Sequence, residues 1–527
     1  MNIISKFHYF LEKDSDRKFY IDVINDKIYT RGEFYRESLK LAGFLREIGI
    51  KKGDKIATIL PNSLESALFF FAALYTQTTI IPLNPILHPS EVEYILKSSK
   101  PKIVFFTPST YGQLTDNVKN DPAFQIVELD IYQERNLACP FSGKKIGSEQ
   151  IFQQLEPEDI DRNIISEDHL FSITYTSGTT QTPKGVMHKL SNFVNNAEKF
   201  TRQVGVGMDN GFYGVLSQAY MGGFYNLLLL PWICGASVGF GKSFDALTAI
   251  SFWDAPMKYN LNSIWLVPTI MAILLKVDRN EQGREYARNN IRLALVGTAP
   301  LPIPLRKEFE KHYGVRLYEN YGLSEILFVS ANSPPQPVRD GSVGKPLQEI
   351  SISIRNQAGG VLSTGQEGEI FVQTGDCMLG YFGEKQPENI QGTTEQSWFD
   401  TGDVGRFDED GNLFITGRKK DLIIRGGVNI SPSAIENIIM EHPVIQQAAI
   451  VGVPHEIYGE DIAAVVKLKT GFTLKQVQNE LEELCKQKLG QVRKPSMFFE
   501  IEEFPLSTSG KIQKIKLKEL LVNKLGK

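Results

Sequence analysis

The sequence predicts an α/β protein with a large N-terminal domain of layered, mostly parallel sheets, a small β-rich subdomain and a small α+β C-terminal domain. Three observations predict it. Over the first ~400 residues short apolar runs alternate with helix-patterned segments, which implies crossover units and parallel strand pairing. After about Ser342 the runs become short, alternating and bounded by glycine, the mark of a smaller β-rich unit. At 527 residues the chain exceeds one compact core, and a prior of ~150 residues per domain gives about three units.

The elements follow in chain order. DKIATILP (54–61) reads as a buried strand, LESALFFFAALYTQ (64–77) as an apolar helix and TIIPLN (79–84) as the next strand. EVEYILKSS (91–99) is helical and PKIVFF (101–106) extended. The alternation returns at 263–269 with 271–277, and at 291–302 with 305–313. SVGKPLQEISISIRN and GEIFVQTG belong to the β-rich subdomain, about 342–416. Beyond a cut at 416–421 come a helix at 431–443, strands QAAIVGVP and IAAVVKLK, a polar helix at 474–489 and a lysine-rich, solvated tail helix at 511–527. The domains are therefore 1–417 and 418–527.

Composition narrows the function. A net charge of −4 and a pI of about 6.1 give no electrostatic reason to expect binding to a phosphate backbone, so no nucleic-acid partner is expected. Cys139, Cys234, Cys377 and Cys485 lie far apart without a CxxC pair, and read as isolated reduced thiols. The start, MNIISKFHYFLEKDSD, makes a poor signal peptide. The apolar stretch from Ala67 to Ile81 is too short and too interrupted for a bilayer. No integral membrane segment and a cytoplasmic location are expected.

The run YTSGTTQTPKGV (175–186) follows an apolar strand. Five hydroxyl side chains lie between 176 and 182, with glycines at 178 and 185 and one lysine at 184. Small residues let backbone N–H groups approach an anion, and the lysine adds a point charge. Composition alone leaves two readings open, a phosphate cradle and a plain Ser/Thr/Gly surface loop. The run lacks the GxxxxGK[ST] spacing of a P-loop. Gly241-Lys242-Ser243 only mimics one, because position 236 is alanine.

This loop resembles the phosphate-loop signature of the adenylate-forming superfamily, which includes acyl-CoA synthetases, aryl-CoA ligases, peptide-synthetase adenylation domains and luciferases. Four more signatures follow in that family's order: YENYGLSE (318–325), DTGD (400–403), GRKKD (417–421) and PLSTSGK (505–511). Five ordered motifs cover nearly the whole chain. The resemblance implies ATP, Mg²⁺ and coenzyme A as cofactors. It sets Thr176, Ser177, Gly178, Thr179, Thr180 and Lys184 around the phosphates, with Thr179 and Lys184 among the catalytic groups. It gives Thr298, Ala299, Pro300, Asn320, Tyr321, Gly322 and Ser324 to the nucleotide, Tyr321 stacking on adenine. It gives Glu325 to Mg²⁺, a sensible carboxylate role beside a triphosphate. Asp403 resembles the ribose-binding aspartate, against the plain reading of an Asx-turn, and Arg418 joins it.

Lys511 resembles the lysine that bridges carboxylate and α-phosphate, where a cation offsets charge growing in the transition state. Lys420 occupies the hinge about which a mobile C-terminal domain turns, bringing Gly426 and Gly427 to the thiol tunnel.

One departure stands at the acyl pocket. Where relatives place an aromatic and a histidine before glycine, this chain has Ala219 and Tyr220, then Met221 and Gly222. The amino-acid-anchoring aspartate of peptide synthetases is missing. Tyr220, Met221, Gly222 and Gly297 suggest an apolar pocket for a fatty or aryl acid. The expected reaction is adenylation of that acid with release of pyrophosphate, then acyl transfer to coenzyme A with release of AMP. The alternative acceptor is an acyl carrier protein in trans. A monomer or homodimer is expected.

Overall fold

The computed structural model describes residues 2–131, 134, 137, 139–157, 160–162, 165–176, 183–384, 390–391, 397–426, 428–506 and 512–525. Two large sheets dominate. The first has eight strands in the spatial order 380–381, 184–189, 170–176, 79–82, 55–59, 103–106, 125–130, 144–147. Its centre is parallel, and the pairings at the 170–189 edge are antiparallel. The second has nine strands, running from 345–346 through 327–331, 317–323, 293–296, 263–266, 211–214, 237–240 and 18–22 to 27–30. It too is parallel inside and antiparallel at its edges.

The helix Leu64–Thr76 explains how the layers join. It starts where Ser63 Oγ accepts from the Ser66 amide at 3.1 Å, and ends on Gln77 in a left-handed conformation. Every residue of it is buried. A helix apolar on all sides must be covered on all sides. Its Phe70 stacks on Phe224 at 4.7 Å between ring centroids, and one continuous core includes Ile80 and Phe105 of the first sheet and Phe212 and Ile264 of the second.

The expected β-rich unit is an antiparallel sheet of 351–355, 368–373, 390–391, 398–407 and 413–418. A fourth sheet holds 428–430, 423–425, 459–468, 445–455 and 497–500, flanked by the helices Pro432–Ile439 and Leu474–Arg493. The C-terminal helix Lys514–Leu525 departs from the solvated tail expected of its lysines. Leu517 and Leu521 are buried against Val451, Val453 and Phe504. Lysines at the surface hide an apolar stripe of only two leucines, too sparse to stand out in the sequence. Among the described residues, no helix is long and apolar enough to cross a membrane.

Candidate active site

In open α/β sheets, ligands sit outside the carboxyl ends of parallel strands. Here strand Leu293–Val296 runs into Gly297–Pro300, strand Gly211–Gly214 leads to Tyr220, and strand Leu170–Thr176 leads to the threonine-rich loop. Thr176 and Lys184 face each other across the antiparallel pair, so that loop is closed at its base. Ser177, Gly178, Thr179 and Thr180, together with Gly427 and Lys511, lie outside the described residues.

Lys184 Nζ lies 3.1 Å from the Glu384 carboxylate and 4.7 Å from the centroid of the Tyr381 ring. The Tyr381 hydroxyl donates to Glu325 Oε1 at 2.8 Å. Lysine, tyrosine and glutamate thus form one row. The Met378 amide donates to the Glu325 carbonyl at 2.7 Å, which fixes the glutamate's backbone. Burial, and next the Glu325 charge, push the nearby Cys377 thiol up to about 12, so it stays protonated.

The Ser324 carbonyl accepts from His188 Nε2 at 2.7 Å. His188 is fully buried, and burial pushes its pKa down to about 4, so the imidazole is neutral and donates as a fixed strut. No motif flagged His188, Tyr381 or Glu384. His188 stands four residues after Lys184 in the same strand, an alternation that places both on one face. Tyr381 arrives through a two-residue strand, 380–381, paired with Val186 and Met187, a contact no local pattern announces.

A second group gathers on the other side of YENYGLSE. The Tyr321 hydroxyl donates to Asp403 Oδ2 at 2.7 Å, and Arg418 Nε lies 3.2 Å from Asp403 Oδ1. Asp403 and Arg418 are direct partners in an antiparallel ladder. The turn at DTGD is made by a different residue: Asp400 Oδ1 accepts from the Gly402 amide at 2.9 Å, with Gly402 at φ +68°. Asp400 is the Asx-turn residue, which leaves Asp403 buried at 4 % exposure with its carboxylate on Tyr321 and Arg418.

Asn320 Nδ2 donates to the Val296 carbonyl at 3.0 Å, and a Cβ at Gly297 would meet Asn320 Oδ1 at 2.5 Å. Glycine at 297 is therefore what lets the two strands close. Gly322 is likewise fixed, since a Cβ there would meet the Leu327 carbonyl at 2.1 Å. Thr298 holds φ +71°, a strained backbone for a β-branched residue, and its side chain is within reach of the Tyr220 hydroxyl. Ala299 is half-buried and Pro300 exposed on the following turn. Met221 and Gly222 are buried, and a Cβ on Gly222 would press on the Tyr220 ring at 3.0 Å.

The sequence-derived residues thus fall into one arc: Tyr220, Thr298, Gly297, Asn320, Tyr321, Asp403 and Arg418, with Ser324, Glu325 and Lys184 alongside. Lys420 and Gly426 are elsewhere. Lys420 is exposed on the turn Lys419–Asp421, and Gly426, at φ +58°, donates its amide to the Tyr458 carbonyl at 2.9 Å.

Fold and site together define an adenylate-forming enzyme of the acyl- or aryl-CoA ligase type. The family model described as AMP-binding enzyme matches residues 7–382, and that for the AMP-binding enzyme C-terminal domain matches 434–511. The chain belongs to the AMP-binding enzyme family. It is 30% identical over 91% of its length to the mitochondrial medium-chain acyl-CoA ligase of Mus musculus, covering 81% of that protein. It is 29% identical to the long-chain-fatty-acid–CoA ligase of Bacillus subtilis, over 94% of this chain and 90% of the relative. Among solved structures it superposes on an anthranilate CoA ligase holding anthranoyl-AMP with TM-score 0.87 at 21% identity, over 99% and 97% of the two chains. The ATP-bound MatB of Rhodopseudomonas palustris gives TM-score 0.85 at 24% identity, over 99% of each chain.

Proposed function

We infer that this protein is an ATP-dependent carboxylate–CoA ligase acting on a fatty or aryl acid. One observation carries the reading: Tyr321, Asp403 and Arg418 form a hydrogen-bonded group beside the row Lys184–Tyr381–Glu325. The first group offers a carboxylate to a ribose diol. The second offers a cation to phosphate and a carboxylate to a divalent ion.

The steps follow from these placements. With the nucleotide anchored by Asp403 and Tyr321, a carboxylate oxygen of the acid attacks the α-phosphorus and pyrophosphate leaves. Lys184 meets the charge of the departing phosphates, and Lys511 is the cation proposed to bridge acid and α-phosphate. The thiol of coenzyme A then attacks the acyl carbonyl, and AMP departs. Catalysis here is placement and charge stabilisation, without a covalent enzyme intermediate.

Glu325 fits a Mg²⁺ role. It is a half-buried carboxylate with one oxygen held by Tyr381. Among the described residues no group of three His, Cys, Asp or Glu side chains gathers. That suits an ion held by one carboxylate, phosphate oxygens and water. When bound, Mg²⁺ would neutralise phosphate charge.

The division at 417/418, rotation of residues 418–527 about Lys420, and thiol access past Gly426 and Gly427 are part of the same proposal. So is a cytoplasmic location, which fits the use of ATP and coenzyme A. The sharp test is acid-dependent exchange of labelled pyrophosphate into ATP over a panel of carboxylates, followed by mass detection of the thioester. Exchange and acyl-CoA formation are expected. Exchange with thioester formed only on a holo-carrier protein would replace coenzyme A as acceptor, and no exchange with any acid would end the ligase reading.

A further inference from the structure

The helical stretch after Tyr220 is irregular. It runs α-helical over Met221–Phe224, opens into a π-turn over Tyr225–Leu229, and closes as Leu230–Cys234. Pro231 explains the opening. A proline inside a helix lacks the amide and its ring clashes with the carbonyl four residues back, here that of Leu227. Widening the turn relieves the clash. Such turns cluster at functional sites.

The π-turn carries one polar residue whose role nothing else explains. Phe224, Leu227, Leu228, Leu229 and Leu230 are all 0 % exposed, yet Asn226 keeps 6 %. Tyr225, next to it, finds a partner by donating to Asn196 Oδ1 at 2.8 Å. Among the described residues the Asn226 carboxamide has none. Its carboxamide atoms are not among the side-chain polar atoms sealed from solvent without a partner, so the amide keeps contact with open space, where a polar group can meet it.

Its position says what would satisfy it. Asn226 lies four residues after Gly222 and five after Met221, so all three share one face of the widened helix. That face looks on the Tyr220 ring and Leu216, the nearest atoms to a Cβ built on Gly222. Leu216 at 7 %, Ala219 at 8 % and Met221 at 9 % also keep slight exposure in an otherwise sealed core. These residues border the space assigned to the acyl group.

We propose that Asn226 is a specificity-determining residue, whose carboxamide faces the acyl pocket and selects acids bearing a hydroxyl or oxo group away from the carboxylate. The preferred substrates are hydroxylated or oxo-substituted fatty or aryl acids, and plain hydrocarbon acids are disfavoured. The inference rests on the ligase reading and narrows it. A site built to hydrogen-bond a substrate group rejects analogues lacking it far more strongly than an apolar pocket rejects a missing methylene.

The test is a positional series: medium-chain fatty acids hydroxylated at successive carbons, and arylpropanoates hydroxylated on the ring, each paired with its unsubstituted parent. In the wild type at least one isomer should exceed its parent at least ten-fold in kcat/KM. Asn226→Leu, nearly isosteric, should bring that ratio to within about three-fold of unity while the KM for ATP stays unchanged. Asn226→Ala serves the same reading if the leucine variant folds poorly. Acids activated without any positional preference overturn the inference alone and make an ordered water the partner of Asn226. A preference that survives both variants overturns it equally. Pyrophosphate exchange with no acid at all overturns the ligase reading and this inference with it.

Discussion

The hydroxyl of Tyr381 donates to Glu325 Oε1 at 2.8 Å while its ring faces the Lys184 ammonium 4.7 Å away, so one side chain ties the proposed phosphate-binding lysine to the proposed metal carboxylate. The two functions of that tyrosine separate by mutation. Tyr381→Phe keeps the ring under Lys184 and removes the donor to Glu325. A lost hydrogen bond to a charged group is worth about 1.5–3 kcal/mol, so kcat/KM for ATP should fall roughly ten- to hundred-fold, with a raised Mg²⁺ requirement. Tyr381→Leu removes the ring as well and should fall further. Steady-state pyrophosphate release, titrated in both ATP and Mg²⁺, reads each effect. Full activity of Tyr381→Phe would remove Tyr381 from the site.

Asp403 is the second proposed anchor. It is buried, carries both Tyr321 and Arg418, and is freed from turn duty by Asp400. A carboxylate suits a ribose diol. Asp403→Asn keeps the shape but loses the charge, and should raise the Kd for ATP by about ten-fold or more. It should also narrow any preference for ATP over 2′-deoxy-ATP. Calorimetric titration of the two nucleotides checks both. An unchanged Kd would mean that Asp403 only braces the Tyr321–Arg418 contact.

Most of the fold was legible because its signals are local. The helix expected at 64–77 spans Leu64–Thr76, and the strands expected at 79–84 and 101–106 occur at 79–82 and 103–106. Each is set by an apolar run and a cap within a few residues. The described motif residues lie on elements set in the same local way. What stayed hidden was long-range. Tyr381 meets Lys184 only because a two-residue strand adds to a sheet edge some two hundred positions away in sequence, and Glu384 follows it. His188 supports Ser324 across a gap of similar kind. A π-turn likewise has no sequence period of its own; only Pro231, read against a helix already known, would have hinted at it.

Stability should depend on pH in two opposite senses. His8 and His188 are buried with pKa values pushed down to about 4 by burial. Unfolding releases them to ordinary values, so as pH falls below about 6.5 the unfolded state binds more protons and stability drops until about pH 4. Glu319 runs the other way. Burial raises it to about 8 against the pull of Arg306, whose guanidinium is shared with Glu310 and Asp340. Between pH 4.5 and 8 the folded state keeps a proton the unfolded state has lost, so stability falls as pH rises. Tm should therefore peak near neutrality. Glu319→Gln should flatten the alkaline limb and, because its window overlaps that of the histidines, steepen the acid limb, as scanning calorimetry from pH 5 to 9 would show. An alkaline limb unchanged by Glu319→Gln would mean that Glu319 is ionised in the fold.

Arg31 holds the far end of the helix that begins at the proposed acyl pocket. Its side chain is fully buried, and its guanidinium donates to the carbonyls of Trp232 at 3.0 Å, Pro231 at 3.2 Å and Ala236 at 2.8 Å. Pro231 and Trp232 lie in the last turn of the stretch Leu230–Cys234, where a helix leaves its last acceptors unsatisfied and carries partial negative charge, and Ala236 lies just past its cap. The guanidinium lies 5.1 Å from the Trp232 ring and 5.0 Å from Phe19, so aromatic faces replace the missing carboxylate. Burial still lowers its pKa to about 10, which keeps it charged throughout the working range. Arg31→Met would leave three buried carbonyls without a donor, at about 1–3 kcal/mol each before relaxation, and should cost about 3 kcal/mol or more overall. Arg31→Lys supplies a charge without the planar fork, so it should recover only part of the loss. Urea unfolding of the three proteins measures the order. Because the same helix presents Met221, Gly222 and Asn226 at its other end, Arg31→Met should also raise the KM for the acid more than the KM for ATP. An equal rise in both would mean that the helix moves no closer to the acid than to the nucleotide when its end is released.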